Sequence, residues 1–497
     1  MEIKLNQANL AGVFCDVLIV NLFEGIKTPG GGTGAVDKAL DGLISSYVIE
    51  KEAFKGKLNQ MYVLPTYGKI PADKVIIVGL GKSEEFNLNK VREVSAKAIR
   101  KAKSLKAKKV SSILHGAGIA GLDAFDCAQM ITEGVIIGNY EFDKYKTKKE
   151  DDEKNGIELF EIIEIDSSKA NDINAGIERG KVIGDAVNMA RNLADEPACE
   201  VTPTKLAEVA KSISGIECKI YEKDELERMG MSAFLAVAQG STQPPKFIHI
   251  TYKPQGETRK KLAVVGKGLT FDSGGLDIKP ANSMRTMKED MSGAAATLGI
   301  MKAVSQIKPD VEVHGIIAAC ENMPSGKAYK PGDIIRAMNG KTIEIDNTDA
   351  EGRVTLADAL HYAAQLNTDE IVDLATLTGA VVVALGQYAS GIMGTNKELV
   401  DALKTSAEKG GERFWEMPFY DDFKDDIKSD VADIKNAGSK GAGSSTAGMF
   451  LREFVGNKNW AHIDIAGTAY IDKEIKELTK GATGAGVRAI LNYILSI

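Results

Sequence analysis

Strand-like apolar runs alternate with helix-compatible segments along most of this chain, and that rhythm constrains the fold more than any other feature. In the second half the runs fall at Phe247–Tyr252, Lys261–Val265, Val311–Ala319, Thr342–Ile345, Glu370–Leu374 and His462–Ile465. Helical patterns accompany them at Gly293–Val304, Val354–Ala364 and Thr446–Phe454. A crossover helix lets successive strands run parallel and covers the sheet faces, so a central, largely parallel sheet sandwiched by helices is expected. The first half alternates too. Val17–Leu22, Met61–Leu64, Lys74–Val78, Val110–Leu114 and Leu159–Ile165 read as strands, with helices near Val36–Tyr47, Lys90–Leu105 and Phe125–Tyr140. At 497 residues the chain exceeds what one hydrophobic core usually organises. The fold class is therefore α/β in two domains: a smaller mixed domain over residues 1–166 and a larger one over 196–497, joined by a helix over 167–195. That helix carries apolar Ile173, Ile177, Val182, Ile183, Val187, Met189 and Ala190 and stops ahead of Pro197.

Composition excludes several classes. A net charge of −7 offers no electrostatic case for nucleic acid as the main partner. The one basic run, Lys97, Arg100, Lys101, Lys103, Lys106, Lys108 and Lys109, reads as a solvated helix face, and the charged stretch Lys146–Asn155 as an exposed loop. Five scattered cysteines without CxxC spacing argue against a disulfide framework and a thiolate metal site. No membrane-spanning apolar stretch and no signal-peptide pattern is present, so a cytoplasmic protein is expected.

Two glycine- and acid-bearing stretches follow strands. Asn347-Thr348-Asp349-Ala350-Glu351-Gly352-Arg353 lies where α/β sheets place their chemistry. If the segment is extended, Asp349 and Glu351 leave one face, with Arg353 continuing the spacing. It reads equally well as a hydrophilic turn before a helix, where acids are favoured. The other stretch is Gly266-Lys267-Gly268-Leu269-Thr270-Phe271-Asp272-Ser273-Gly274-Gly275. It lacks the spacing of a phosphate-binding loop, but its glycines would allow close approach to an ion, with Lys267 and Asp272 as ligands. Asp272, Asp290, Asp349 and Glu351 together place four carboxylates on loops of one expected sheet. None of the five histidines lies in these loops, so a metal site here would be oxygen-rich; His361 and His462 are expected to be structural. Two divalent ions would balance four carboxylates, whereas one would leave excess buried charge.

The seven-residue stretch resembles the signature of the leucine (cytosol) aminopeptidase family. So do, in the family's order, the Gly266–Gly275 stretch, Met287-Lys288-Glu289-Asp290-Met291, Val372-Asp373-Leu374-Ala375-Thr376-Leu377-Thr378-Gly379-Ala380 and Trp460-Ala461-His462-Ile463-Asp464-Ile465-Ala466-Gly467. The resemblance covers essentially the whole second half, and more loosely the first. It implies a homohexameric, two-metal aminopeptidase that removes N-terminal residues, preferentially leucine and other large apolar ones, from peptides with a free N-terminus. By position, Lys267, Asp272, Asp290 and Glu351 would ligate one ion, and Asp272, Asp349 and Glu351 the other, with Mn2+ or Zn2+ as cofactor. Lys279 would stabilise the oxyanion, and Arg353 would hold a proton-shuttling bicarbonate. Met287, Thr376 and Gly379 match positions lining the family's specificity pocket. Some relatives also bind DNA in an architectural role; the basic run is the only feature here that supports it, and the net charge opposes it. A two-metal phosphoesterase would usually recruit histidines, which these loops lack.

Overall fold

The computed structural model describes residues 1–118, 120–147, 156–438 and 441–497. The chain divides into two compact units, residues 1–185 with 473–479, and residues 186–472 with 480–497.

In the first unit a six-stranded sheet holds β1 (Glu2–Asn6), β2 (Val17–Leu22), β3 (Met61–Pro65), β4 (Lys74–Gly79), β5 (Lys109–Ile113) and β6 (Leu159–Ile163) in the order β1-β6-β5-β2-β4-β3. Every neighbouring pair is parallel except β3 with β4. Alternation along β2 explains why it reads as one unbroken apolar run. Val17 and Ile19 face one core with Val91, Val94 and Ile99, while Leu18 and Val20 face another with Val36 and Leu40. The helices are α1 (Gly31–Ala39), α2 (Leu88–Ser104), α3 (Ala124–Gly138) and α4 (Ala170–Asp195). The last of these covers most of the segment read as a helix over 167–195, and the division between units falls within it, at 185/186.

Three local expectations change. The helix expected over Val36–Tyr47 is broken, because Asp41 and Gly42 take left-handed φ of 54° and 75°. The chain restarts as a π-helical turn, Ile44–Ile49, held by Asp37 Oδ1 accepting the Ile44 amide at 2.7 Å. The strand expected to reach Ile165 stops at Ile163, leaving Ile165 exposed. The edge strand β1 had not been anticipated; Ile3 is its only buried residue, too short a signal to read. Most residues of the basic run are half-buried, and several pair with acids. Arg100 pairs with Glu474 at 2.9 Å, Lys103 with Glu141 at 2.9 Å, Lys108 with Glu158 at 3.1 Å and Lys109 with Glu161 at 3.2 Å. Of the charged stretch Lys146–Asn155, residues 148–155 lie outside the described residues.

The second unit is built on eight strands, β7 (Glu217–Tyr221), β8 (Lys246–Tyr252), β9 (Lys260–Asp272), β10 (Val311–Asn322), β13 (Glu370–Ala375), β14 (Ser390–Gly394), β15 (Phe414–Glu416) and β17 (Asn459–Asp464). They run in the order β15-β14-β17-β13-β9-β10-β8-β7. The central four, β17, β13, β9 and β10, are mutually parallel, and antiparallel pairings lie outside them. The Ser292–Ile307 helix packs on this parallel core at very short range. A Cβ on Gly293 would lie 2.0 Å from the Leu374 carbonyl oxygen, so only glycine permits the approach.

One correction bears directly on the site. The Thr342–Ile345 run does not join the main sheet. As β12 (Thr342–Glu344) it belongs to a separate three-stranded sheet with β11 (Ile334–Arg336) and β16 (Ile434–Lys435). The Asp349–Glu351 segment is thus delivered by the small sheet, and Asp272 by the large one. Among the described residues no helix is long and apolar enough to cross a membrane, and all five cysteines are free.

Candidate active site

β9 is the longest strand and lies at the centre of the sheet, so its carboxyl end is buried from both sides. Lys267 and Asp272 on it are only 3% and 2% exposed. Asp290 follows a 3-10 turn, Met287–Glu289, just before the Ser292–Ile307 helix. Glu351 is the first residue of the Glu351–Gln365 helix, and Asp349 sits in the turn ahead of it. The segment is therefore not extended, and Asp349 and Glu351 do not share a strand face; a turn running into a helix presents them differently.

The structure brings Lys267, Asp272, Lys279, Asp290, Asp349, Glu351 and Thr376 together. Lys267 Nζ lies 2.8 Å from Asp290 Oδ1 and 2.9 Å from Glu351 Oε1, and donates to the Thr376 carbonyl at 2.8 Å. Lys279 Nζ lies 2.8 Å from Asp272 Oδ2. It also forms an ion pair with Asp349 Oδ1 at 2.6 Å. Each lysine thus bridges two acids. Asp272, Asp290 and Glu351 each offer an oxygen within 4.8 Å of the other two. The Lys267 stem passes directly over Gly352: a Cβ there would fall 2.6 Å from Nζ.

Burial governs the electrostatics. It raises the Glu351 carboxyl above the usual range, with the Asp272 charge adding to the shift, and it raises Asp290 despite the nearby Lys267 ammonium. Asp349 is raised for the same reason, opposed by Lys279. Burial disfavours the ammonium of Lys267, yet Asp290, Glu351 and Asp272 together outweigh it and raise its pKa. Lys279 follows the same balance, led by Asp272 and Glu351. Arg353 is buried and pushed down to about 10 by desolvation. Its Nε is buried without a hydrogen-bond partner among the described residues.

Outer residues hold these groups in place. Asn322, paired with Asp272 at the ends of β10 and β9, donates to Asp272 Oδ1 at 2.9 Å and to the Thr348 carbonyl at 3.0 Å. Asn436, just past β16, clamps the segment leading to Glu351. Its Oδ1 accepts the Asp346 amide at 2.8 Å, and its Nδ2 donates to the Asn347 carbonyl at 2.7 Å. Neither asparagine stands out in the sequence, because each acts only through strand neighbours distant along the chain. Of the histidines, His462 is buried on β17 against Asp373 at 2.6 Å, and Trp460 donates to the same carboxylate at 2.8 Å. His361 lies on the Glu351–Gln365 helix beside Gln365 at 3.1 Å.

The donor set fits a divalent ion. Asp290 Oδ2 and Glu351 Oε2 are buried without hydrogen-bond partners among the described residues, an expensive arrangement unless a cation meets them. Carboxylate oxygens with one amine suit hard to borderline metals. Thr376 is at the centre of the cluster, donating to Asp290 Oδ1 at 2.8 Å. Met287 is half-buried three residues before Asp290, and Gly379 is exposed, with nothing within 4 Å of where its Cβ would lie.

Comparison with known proteins decides the family. The catalytic-domain model of the cytosol aminopeptidase family matches residues 188–491, and that family's N-terminal-domain model matches residues 19–149. The chain belongs to the cytosol aminopeptidase family. It is thereby a metal-dependent aminopeptidase, a hydrolase. It is 49% identical to a probable cytosol aminopeptidase of Aquifex aeolicus (strain VF5), over 90% of each chain. It is 45% identical to another from Sulfurihydrogenibium sp. (strain YO3AOP1), covering 100% of this chain and 98% of that one. Among solved structures, a variant of tomato leucine aminopeptidase superposes with a TM-score of 0.89 at 36% identity, covering 100% of this chain and 97% of that one. The bottromycin maturation enzyme BotP in complex with Mn gives a TM-score of 0.85 at 29% identity, covering 97% and 99%.

Proposed function

We propose that this aminopeptidase works with two divalent ions and prefers peptides whose N-terminal residue is leucine or another large apolar side chain. The observation that carries the reading is the approach of the buried Asp272, Asp290 and Glu351 oxygens within 4.8 Å, with partnerless oxygens on the last two. Lys267, Asp272, Asp290 and Glu351 would hold one ion, and Asp272, Asp349 and Glu351 the second, Mn2+ or Zn2+. When bound, such ions supply Lewis-acid polarisation of the scissile carbonyl, a nucleophile at neutral pH and an anchor for the free α-amine.

The chain's own residues supply the rest. Lys267 can act as a ligand only as a neutral amine, so metal binding must release the proton that Asp290 and Glu351 now favour. Lys279 is the more solvent-accessible lysine, its side chain 14% exposed against 3% for Lys267. It keeps its charge and donates to the oxyanion as that charge develops. Arg353 presents a planar fork suited to bicarbonate, the proton carrier that the family resemblance implies. Met287, Thr376 and Gly379 would line the pocket for the N-terminal side chain; methionine adapts readily to large apolar groups. The same reading includes a homohexamer in the cytoplasm, and a stable, active monomer by light scattering would contradict the assembly.

Hydrolysis of leucine-p-nitroanilide beside its N-acetyl analogue tests the reading. The free amine should be cleaved, the acetylated compound should not, and a chelator should abolish turnover until metal is restored. Equal cleavage of both compounds, or full activity in chelator, overturns it.

A further inference from the structure

The first unit has its own candidate site, far along the sequence from the residues above. Leaving β2, the chain passes through α1 to β3 and β4; leaving β4, it crosses by α2 to β5 on the other side of β2. The carboxyl ends of β2 and β5 thus flank a point where the connections diverge, the position at which open parallel sheets leave a crevice for ligands. A cavity of about 380 Å³ lies there, within the range of small-molecule pockets.

Its two ends differ chemically. At one end Gly30, Gly31, Gly32 and Thr33 line the cavity at the start of α1. Among the described residues no side chain caps this helix, so the amides ahead of Gly34 remain available to an anion. Gly30 has φ −114° and ψ 176°, which any residue adopts, and nothing lies within 4 Å of where its Cβ would be. Neither backbone nor packing calls for glycine at 30, whereas a group lying against that backbone would. At the other end the wall is apolar: Phe23, set edge-on to Phe86 at 5.3 Å, with Leu80, Ile113 and Leu114. Between them Asn21, only 6% exposed, also lines the cavity. Its amide nitrogen is taken by His115 Nδ1 at 2.7 Å, leaving the amide oxygen with no partner among the described residues. Among the described lining residues the one acid is Glu164, which lies past the end of β6 and has Lys169 at 3.6 Å to offset its charge.

An anion seat, a mostly buried side chain whose amide oxygen makes no hydrogen bond among the described residues, and an apolar wall line one cavity. We propose that it binds a nucleoside monophosphate, with the phosphate at the start of α1, the base against Phe23 and a hydroxyl or amino group donating to Asn21. The test is calorimetric titration of the full-length protein with AMP, GMP, CMP and UMP, beside adenosine and inorganic phosphate. At least one nucleotide should bind saturably with Kd of about 10 μM to 1 mM, at least about tenfold tighter than adenosine or phosphate alone. Gly30→Leu should weaken that binding by at least about tenfold while leaving leucine-p-nitroanilide hydrolysis and melting temperature unchanged. Asn21→Ser should weaken nucleotide binding independently, so the test survives poor folding of either variant. Absence of saturation by all four nucleotides, phosphate binding as tightly as the best nucleotide, or wild-type affinity in both variants overturns the proposal.

Discussion

Both units place polar side chains at the carboxyl ends of parallel strands, and they treat buried ionisable groups in opposite ways. In the second unit Lys267 and Lys279 are buried yet held charged, because each lies between two carboxylates. In the first, His115 is buried among neutral partners, accepting from Asn21 and hydrogen bonded to Ser112 at 3.1 Å, and burial pushes it down to about 4. The same architecture and similar burial thus give a charged site in one unit and a neutral one in the other. Counter-charge within about 3 Å decides the outcome, since desolvation alone always favours the neutral form. A sheet edge provides a crevice; the loops around it decide what chemistry the crevice can hold.

The charged site offers the sharpest ways to break this contrast. Lys279→Ala is expected to lower kcat about 10²–10³-fold with metal content intact, because it removes charge felt chiefly in the transition state. Metal loss in that variant would mean that Lys279, not Lys267, is the ligand. Arg353→Ala should lower turnover by about 10²-fold, again with both ions retained, and added bicarbonate should rescue it poorly. Loss of bound metal on elemental analysis would show that Arg353 supports the ligands themselves.

Lys267→Ala is expected to behave differently, emptying one metal site and recovering part of its activity at high metal concentration. A weakening of metal affinity of at least about 10–100-fold is the scale. Gly352→Ala should mimic it, since the added Cβ meets Lys267 Nζ at 2.6 Å. Full metal occupancy in Gly352→Ala would show that the lysine can give way without cost.

The neutral site gives the smallest effect. His115 has a folded pKa of about 4, below its unfolded value near 6.5. Its contribution to stability is therefore complete above the unfolded value and declines as pH falls from there toward 4. Denaturant titrations between pH 7 and 5 should lose up to about 1.4 kcal/mol per pH unit to this residue, and His115→Gln should remove that slope. An unchanged slope would mean that His115 binds protons equally in the folded and unfolded states, and the contrast between the units would fail.

Much of this protein is legible locally. The central strands, the helices that cover them and the long α4 helix follow from short-range periodicity, which each segment carries in its own residues. Asp272, Asp290, Asp349 and Glu351 stand out only when taken together, as acids flanked by small residues, and the family resemblance is what groups them with Lys267 as ligands. Local signals gave no warning of the break at Asp41 and Gly42, where Asp37 captures the amides of the next turn. Nor did they separate β12 from the main sheet, because a strand's pattern records which face is buried and not which partner it meets.

The site's internal arrangement depended wholly on such long-range pairing. Lys267 reaches the Thr376 carbonyl 109 residues away because β9 and β13 are neighbours, and Asn436 reaches Asp346 90 residues away because β16 pairs with β12. Residue identity and periodicity are properties of a segment, so the elements and the chemical inventory could be read from the chain. Distances, burial and partners belong to strand order and register. Only the folded structure could assign Asp290 and Glu351 to Lys267, and Asp272 and Asp349 to Lys279.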